Sequence, residues 1–354
     1  MLAISLAQHA AAESLQRLTA VPRFDSALLS DAADGQLDHF SLVRGALVAG
    51  GVHAAPELDQ WEARFERTCQ PLDLQQAAGN PPTVETLFAF LHRELLTGSY
   101  NAAVTTLPIT LGQGDYNCLT ATTLFVALCD RYGVRPEIVS TTGHIYCRLP
   151  GVSPLEIETT CRDWFQSGFD RSGANGGQRP AARGGRTINR VQLLGKIYYN
   201  RGVALLAERR FAEALPLVER SQLLDPHDAD ARENLLAGLN NWALSLADAG
   251  HYEAAAKLIA RGQSLDPAYA PLSANELHVH QRWAAKLCDE HQFAKALELL
   301  TAGHHRQPTA PLYVAGPQTV YEAWIRWHLE RGESALAAKV AAEAKLGNAE
   351  ESEQ

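Results

Sequence analysis

Apolar residues in the C-terminal half recur at intervals of three and four, the spacing that places them on one face of an α-helix. From Lys196, KIYYNRGVALLAERR and FAEALPLVERSQLLDP read as two such helices separated by a short polar turn. The pattern then repeats. FAEAL from Phe211, YEAAA from Tyr252, FAKAL from Phe293 and SALAA from Ser334 start 41 residues apart, and Pro226, Pro267 and Pro308 keep the same step, as do Trp242, Trp283 and Trp324. Asp225-Pro226 and Asp266-Pro267 close their units, because proline lacks an N–H and disfavours helix at the residue before it. The middle of the chain reads differently. TVETLFAFLHRELL (Thr83 to Leu96) predicts a helix with Thr83 as N-cap, followed by the turn-rich SYNAAVTTLPITLGQGDYN. CLTATTLFVALCDRYG predicts a helix from Cys118 to near Gly133, RPEIVSTTGHIYCRL a strand, Pro150 to Pro154 a turn, and LEIETT a second strand.

Within each repeat unit one pattern of small and apolar residues fits without gaps: Tyr198, Gly202, Leu205, Ala214, Val218, Ser221 and Pro226 in the first, Ala243, Leu246, Ala255, Ile259, Gly262 and Pro267 in the second, Ala284, Leu287, Ala296, Leu300, Gly303 and Pro308 in the third. This resembles the tetratricopeptide repeat (TPR), whose usual length is about 34 residues. The seven residues beyond that length lie between units, near Ala229 to Leu235, and predict a lengthened first helix in the following unit. The fourth unit, ending near Ala344, lacks the closing proline and reads as a cap. Units of this kind stack to bury their apolar faces and leave a concave surface. That surface is either a protein- or peptide-binding groove or a buttress for the rest of the chain.

The middle elements order Cys118 at a helix N-terminus, His144 on the following strand and Glu158 on the next. A thiol nucleophile needs this arrangement. Helix-terminal N–H groups and the helix dipole stabilise a thiolate, a histidine takes and returns the proton, and a carboxylate orients the imidazole. Glu156 shares strand parity with Glu158 and is the alternative third member. The Cys118 N–H is placed to donate to an oxyanion. Gln113, five residues before the cysteine, is a second candidate oxyanion donor, and Tyr116 and Asn117 are candidates for shaping the site. Against this stands a plainer reading in which Cys118 is a small buried hydrophobe.

GDYNCLTATTLFVALCDRYGVRPEIVSTTGHIYCRL, from Gly114 to Leu149, resembles the core motif of the transglutaminase-like superfamily, and LEIETT stands where that family has an aspartate and a short polar pair. With DHFSLVRGALVAGGVHAAPELDQWEARFERTCQPL resembling its opening helices and the repeats behind, the chain is most similar to the SirB1-like branch. The resemblance implies a papain-like triad of Cys118, His144 and Glu158. It implies an α+β fold: a helical N-terminal region (1–80), a core with a small antiparallel sheet (81–165), a linker or flap (166–190), TPR-like repeats (191–346) and a disordered tail (347–354). The implied activity is that of a cysteine hydrolase or acyl transferase on a peptide or amide, with no metal or organic cofactor. The second reading is a non-catalytic core carried by a protein-binding scaffold.

Bulk properties change this little. The chain has 354 residues, 46% hydrophobic and 20% charged, with a net charge of −9, which makes nucleic acid an unexpected partner. No apolar run reaches the roughly 18 residues of a membrane span. The start, MLAISLAQHAAAESL, lacks the basic residues that open a secretory signal, so the expected compartment is cytoplasmic, with export or a periplasmic location as the alternative. Six scattered cysteines, without a CxxC pair, read as reduced thiols. QSGFDRSGANGGQRPAARGGRTINR reads as a flexible linker, or as a flap whose Arg179, Arg183, Arg186 and Arg190 attract an acidic substrate or partner.

Overall fold

The computed structural model describes residues 22–165 and 185–352, with side chains up to residue 344. The expectations for residues 1–21, for 166–184 with Arg179 and Arg183, and for the last two residues lie outside the described residues. Among the described residues, those up to Leu235 form one compact unit and those from Leu236 onward a second. No helix among them is long and apolar enough to cross a membrane.

The first unit opens with α1 (Arg23–Asp31), α2 (Leu42–Ala49) and α3 (Ala55–Ala77). Thr83 caps α4 (Val84–Phe90) by accepting the Thr86 N–H, and the expected single helix ends instead in a π-helical turn, Leu91–Leu95. α5 (Leu107–Gln113) and α6 (Cys118–Arg131) follow. The segment expected to be one strand is a hairpin of β1 (Glu137–Thr141) and β2 (His144–Leu149), because Gly143 takes a φ of 73° and turns the chain back. β3 (Leu155–Ile157) stops before Glu158, whose carbonyl accepts the Cys161 N–H in a turn. A fourth strand, β4 (Arg186–Ile188), lies in the stretch read as linker and gives the antiparallel order β3-β2-β1-β4. Ile188, Ile138, Cys147 and Ile157 face one another across the four strands and are all buried in the core of this unit.

Of the four arginines that the flap reading offered to an acidic partner, the two described ones, Arg186 and Arg190, are engaged within the chain. Arg186 pairs with Asp225, and Arg190 places two guanidinium nitrogens on Asp130, at 2.8 and 3.1 Å. The first repeat pair, α7 (Arg190–Ala207) and α8 (Phe211–Leu224), belongs to this first unit rather than to a separate repeat domain. The reason is burial. Leu194 fills the space beside Gly45 of α2, and Tyr198, fully buried, donates its hydroxyl to Asp25 of α1 at 2.8 Å.

The second unit carries the remaining pairs: the rest of α9 (Ala229–Asp248), then α10 (Tyr252–Leu265), α11 (Ala270–Asp289), α12 (Phe293–Arg306), α13 (Pro311–Glu330) and α14 (Ser334–Ser352). The seven extra residues do lengthen first helices: α9, α11 and α13 have 20 residues, against 14 in α8, α10 and α12. The C-terminal residues expected to be disordered continue α14 to Ser352, because no proline interrupts the helix. The α+β class is overturned as well. The described residues are 68% helical, with fourteen α-helices and only one small sheet of three- to six-residue strands among them, so the fold is largely helical.

Small residues set how closely consecutive helices approach. A Cβ on Gly202 of α7 would lie 2.6 Å from Val218 of α8, one on Gly262 of α10 would lie 2.5 Å from Leu272 of α11, and one on Gly303 of α12 would collide with the ring of Tyr313 in α13. Tyr313 is fully buried and its hydroxyl lies 2.9 Å from Nδ1 of His280, so the ring has no room to withdraw. Gly303→Ala is therefore expected to destabilise the chain by about 1–3 kcal/mol. Thermal denaturation of the variant against the wild type checks this, and an unchanged melting temperature would refute the packing argument.

Candidate active site

The site is built from the start of α6 outward. Asn117 caps the helix: its side-chain oxygen accepts the Thr120 N–H at 2.9 Å, while Thr120 Oγ1 accepts the Asn117 N–H at 3.1 Å. This capping box satisfies two of the four N–H groups that a helix start leaves orphaned. The other two belong to Cys118 and Leu119, which have no acceptor among the described residues. Cys118 is partly buried against the core. The rest of α6 is fastened to the sheet by Thr122, whose hydroxyl lies 2.9 Å from that of fully buried Thr159 and 3.4 Å from the carbonyl oxygen of Ile145.

His144 opens β2, with Nε2 2.6 Å from Oε2 of Glu158. That contact occupies one ring nitrogen and leaves Nδ1 as the one open to a second partner. The pKa of His144 is pushed up to about 10, first by the hydrogen bond with Cys118 and next by that with Glu158, against the opposing effect of burial. Burial works to raise the pKa of Glu158, but the hydrogen bonds from His144 and Thr160 outweigh it and hold the carboxyl below its ordinary value. Thr160 supplies both its hydroxyl, at 2.7 Å, and its N–H, at 3.3 Å, to Oε1 of Glu158. The ring of Tyr146 stacks on that of His144 at 6.1 Å.

The remaining candidates divide. Glu156, the alternative carboxylate, stands opposite Arg148 on β3 and meets the Tyr146 hydroxyl at 3.4 Å, away from the imidazole. Asn117 is buried and acts as the helix cap that places Cys118. Tyr116 is buried, with its ring 6.2 Å from those of His92 and Tyr100. Gln113 ends α5 on the exposed surface, and Gly114, at a φ of 83°, turns the chain away after it; no hydrogen bond joins it to Cys118 or His144 among the described residues. Of the other five thiols, burial pushes Cys69 and Cys129 up to about 12, Cys147 well above its ordinary value, and Cys161 and Cys288 upward.

Sequence reasoning missed Tyr100. Its strand-like pairing with Tyr116 depends on Gly98 and Gly114, which let the two segments approach: the Gly98 N–H donates to the Gly114 carbonyl at 3.0 Å, and a Cβ on either glycine would strike the opposite segment. Two glycines sixteen residues apart, each beside a turn signal, are the one trace of this in the sequence.

No family model matches the chain and no curated protein matches it. Among solved structures it is similar to menin, whose crystal structure is described as revealing the binding site for the Mixed Lineage Leukemia (MLL) protein, with 13% identity, a TM-score of 0.35, and coverage of 82% of this chain and 73% of that one. A superposition that loose carries no argument about fold or function.

The paired shifts set a stability window. His144 is raised above its ordinary 6.5, so its contribution is fully present below that pH and is lost as pH climbs through about 10. Glu158 is lowered from 4.5, so its contribution is present above that value and is lost as pH falls below it. The melting-temperature difference between wild type and His144→Ala is expected to be largest between about pH 5 and 6.5 and to shrink toward pH 10. Melting curves followed by circular dichroism across that range test it, and a difference that widens toward alkaline pH contradicts the pairing.

Proposed function

We propose that the chain is a transglutaminase-like cysteine hydrolase or acyl transferase acting on a peptide or amide, with Cys118 as nucleophile, His144 as proton carrier and Glu158 as the group that orients the imidazole. The observation that supports this most is the 2.6 Å contact between His144 Nε2 and Glu158, which leaves the other ring nitrogen for the cysteine at the start of α6. In the proposed reaction the Cys118 thiol has already given its proton to His144, and the thiolate sulfur bonds to the carbonyl carbon beside the protonated imidazole. The carbonyl π pair moves onto the oxygen, to which the Cys118 N–H donates. Collapse expels the amine, which takes the proton from His144 and leaves a thioester. Water or a second amine then adds, giving up its proton to His144, and the departing sulfur recovers it as a free thiol beside a carboxylic acid or a new amide. We prefer hydrolysis of a peptide or amide to cross-linking.

The paired repeat helices are proposed to bind a protein or peptide partner. Their support is the 41-residue recurrence of long and short helices joined through close glycine contacts.

Thiol labelling tests the catalytic reading directly. With iodoacetamide at mildly acidic pH, Cys118 is expected to be alkylated about tenfold or more faster than the other five cysteines, which partial or full burial pushes away from ionisation. His144→Ala is expected to remove that advantage. Peptide mapping by mass spectrometry reads both results, and slow, equal labelling of all six cysteines would overturn the proposal.

A further inference from the structure

Tyr100 pairs with the segment that leads into Cys118 and has no role in the triad. Its backbone pairs with Tyr116, two residues before Cys118, and the segment is stitched there by the Asn101 N–H on the Tyr116 carbonyl at 2.8 Å and the Tyr116 N–H on the Ser99 carbonyl at 3.2 Å. Its ring meets Tyr116 edge-on, at 6.2 Å and 83°. Tyr116 in turn meets His92, and His92 packs on Phe88 in the core, so the Tyr100 ring is the outermost member of a braced aromatic column. It is 55% exposed, and its hydroxyl has no hydrogen-bond partner among the described residues. The phenol is pushed above its ordinary pKa by burial first and then by the charges of Cys118 and Glu158, so it stays protonated and can only donate to a nearby anion. Gln113, the side-chain donor expected from the sequence, ends an exposed helix turn instead.

We propose that the Tyr100 hydroxyl is the second donor to the oxyanion, binding, together with the Cys118 N–H, the carbonyl oxygen of the acyl group that Cys118 attacks. The proposal rests on the reading of Cys118 as an acyl-accepting nucleophile. Tyr100 transfers no proton in this step. The sulfur–carbon bond forms, the carbonyl π pair moves onto oxygen, His144 keeps the proton it took from the thiol, and the phenol O–H donates to the new oxyanion throughout. Collapse returns the pair to the carbonyl and releases the leaving group.

The test compares two reactions of Cys118 on the full chain. Acylation by p-nitrophenyl acetate passes through an oxyanion, whereas alkylation by iodoacetamide occurs at a saturated carbon and does not. Tyr100→Phe keeps the ring and its contact with Tyr116. It is expected to slow the p-nitrophenol burst by about 10²-fold, the usual cost of removing one oxyanion donor, with the rate of Cys118 alkylation unchanged. A variant that acylates as fast as wild type overturns the role of Tyr100 and leaves the nucleophile reading standing. Equal slowing of both reactions also overturns it, because Tyr100 then acts on the sulfur and not on the oxyanion. A wild-type chain that gives no burst overturns the acyl-transfer reading itself.

Discussion

The reciprocal hydrogen bonds of Asn117 and Thr120 decide where α6 begins, and the candidate site depends on that boundary. A start one residue later would put Cys118 in the cap position, with non-helical backbone dihedrals. The cap as it stands consumes the N–H groups of residues 117 and 120 and leaves those of Cys118 and Leu119. The position of the sulfur relative to His144 is then a matter of how α6 sits on the sheet. Thr122 fixes this through Thr159 and the Ile145 carbonyl, so the residues next to Glu158 and next to His144 are both bound to the helix that carries the cysteine.

A second buried constraint lies behind the first. Asp25, wholly buried, receives the Tyr198 hydroxyl, has His53 Nε2 at 2.6 Å and has Arg220 Nε at 3.5 Å. These groups come from α1, from the loop after α2, and from both helices of the first repeat pair. A carboxylate out of water is costly unless opposed by charge and hydrogen bonds, and removing one partner strands the others. The first repeat pair is in this way bound into the same core as the candidate site, which explains why the compact unit extends to Leu235. The 41-residue period had pointed to a boundary before the repeats, but the packing of Tyr198 and Leu194 overrides it.

What the sequence revealed follows how local the determining interactions are. The long helices were legible because their apolar faces recur within a few residues, and so were the start of α6, the lengthened first helices and the order of Cys118, His144 and Glu158. The turn at Gly143 was not, because the β-branched threonines before it read as continuing strand and only the positive φ of Gly143 reverses the chain. The strand Arg186–Ile188 was hidden for a different reason: its pairing of Ile188 with Ile138 spans fifty residues, and three residues among arginines and glycines show no period. Tyr100 was invisible in the same way. Its place beside Tyr116 comes from the contact of Gly98 with Gly114 and not from any spacing to Cys118. The α+β expectation failed because the four strands, two of them unanticipated, have only three to six residues each and are too short to weigh against the helices.

The close helix contacts have a consequence for how such an array can evolve or be rebuilt. At one position of the repeat stand Ser221, Gly262 and Gly303, and at the position ten residues later stand Ala231, Leu272 and Tyr313. As the second residue grows from alanine to tyrosine, the first gives up its side chain, and in the two later copies a Cβ there would strike its partner. The copies have diverged as matched pairs, like locks re-cut together with their keys. Modules of this chain are therefore not interchangeable: shuffling one helix between copies, or replacing a unit by an averaged one, separates partners that were shaped against each other.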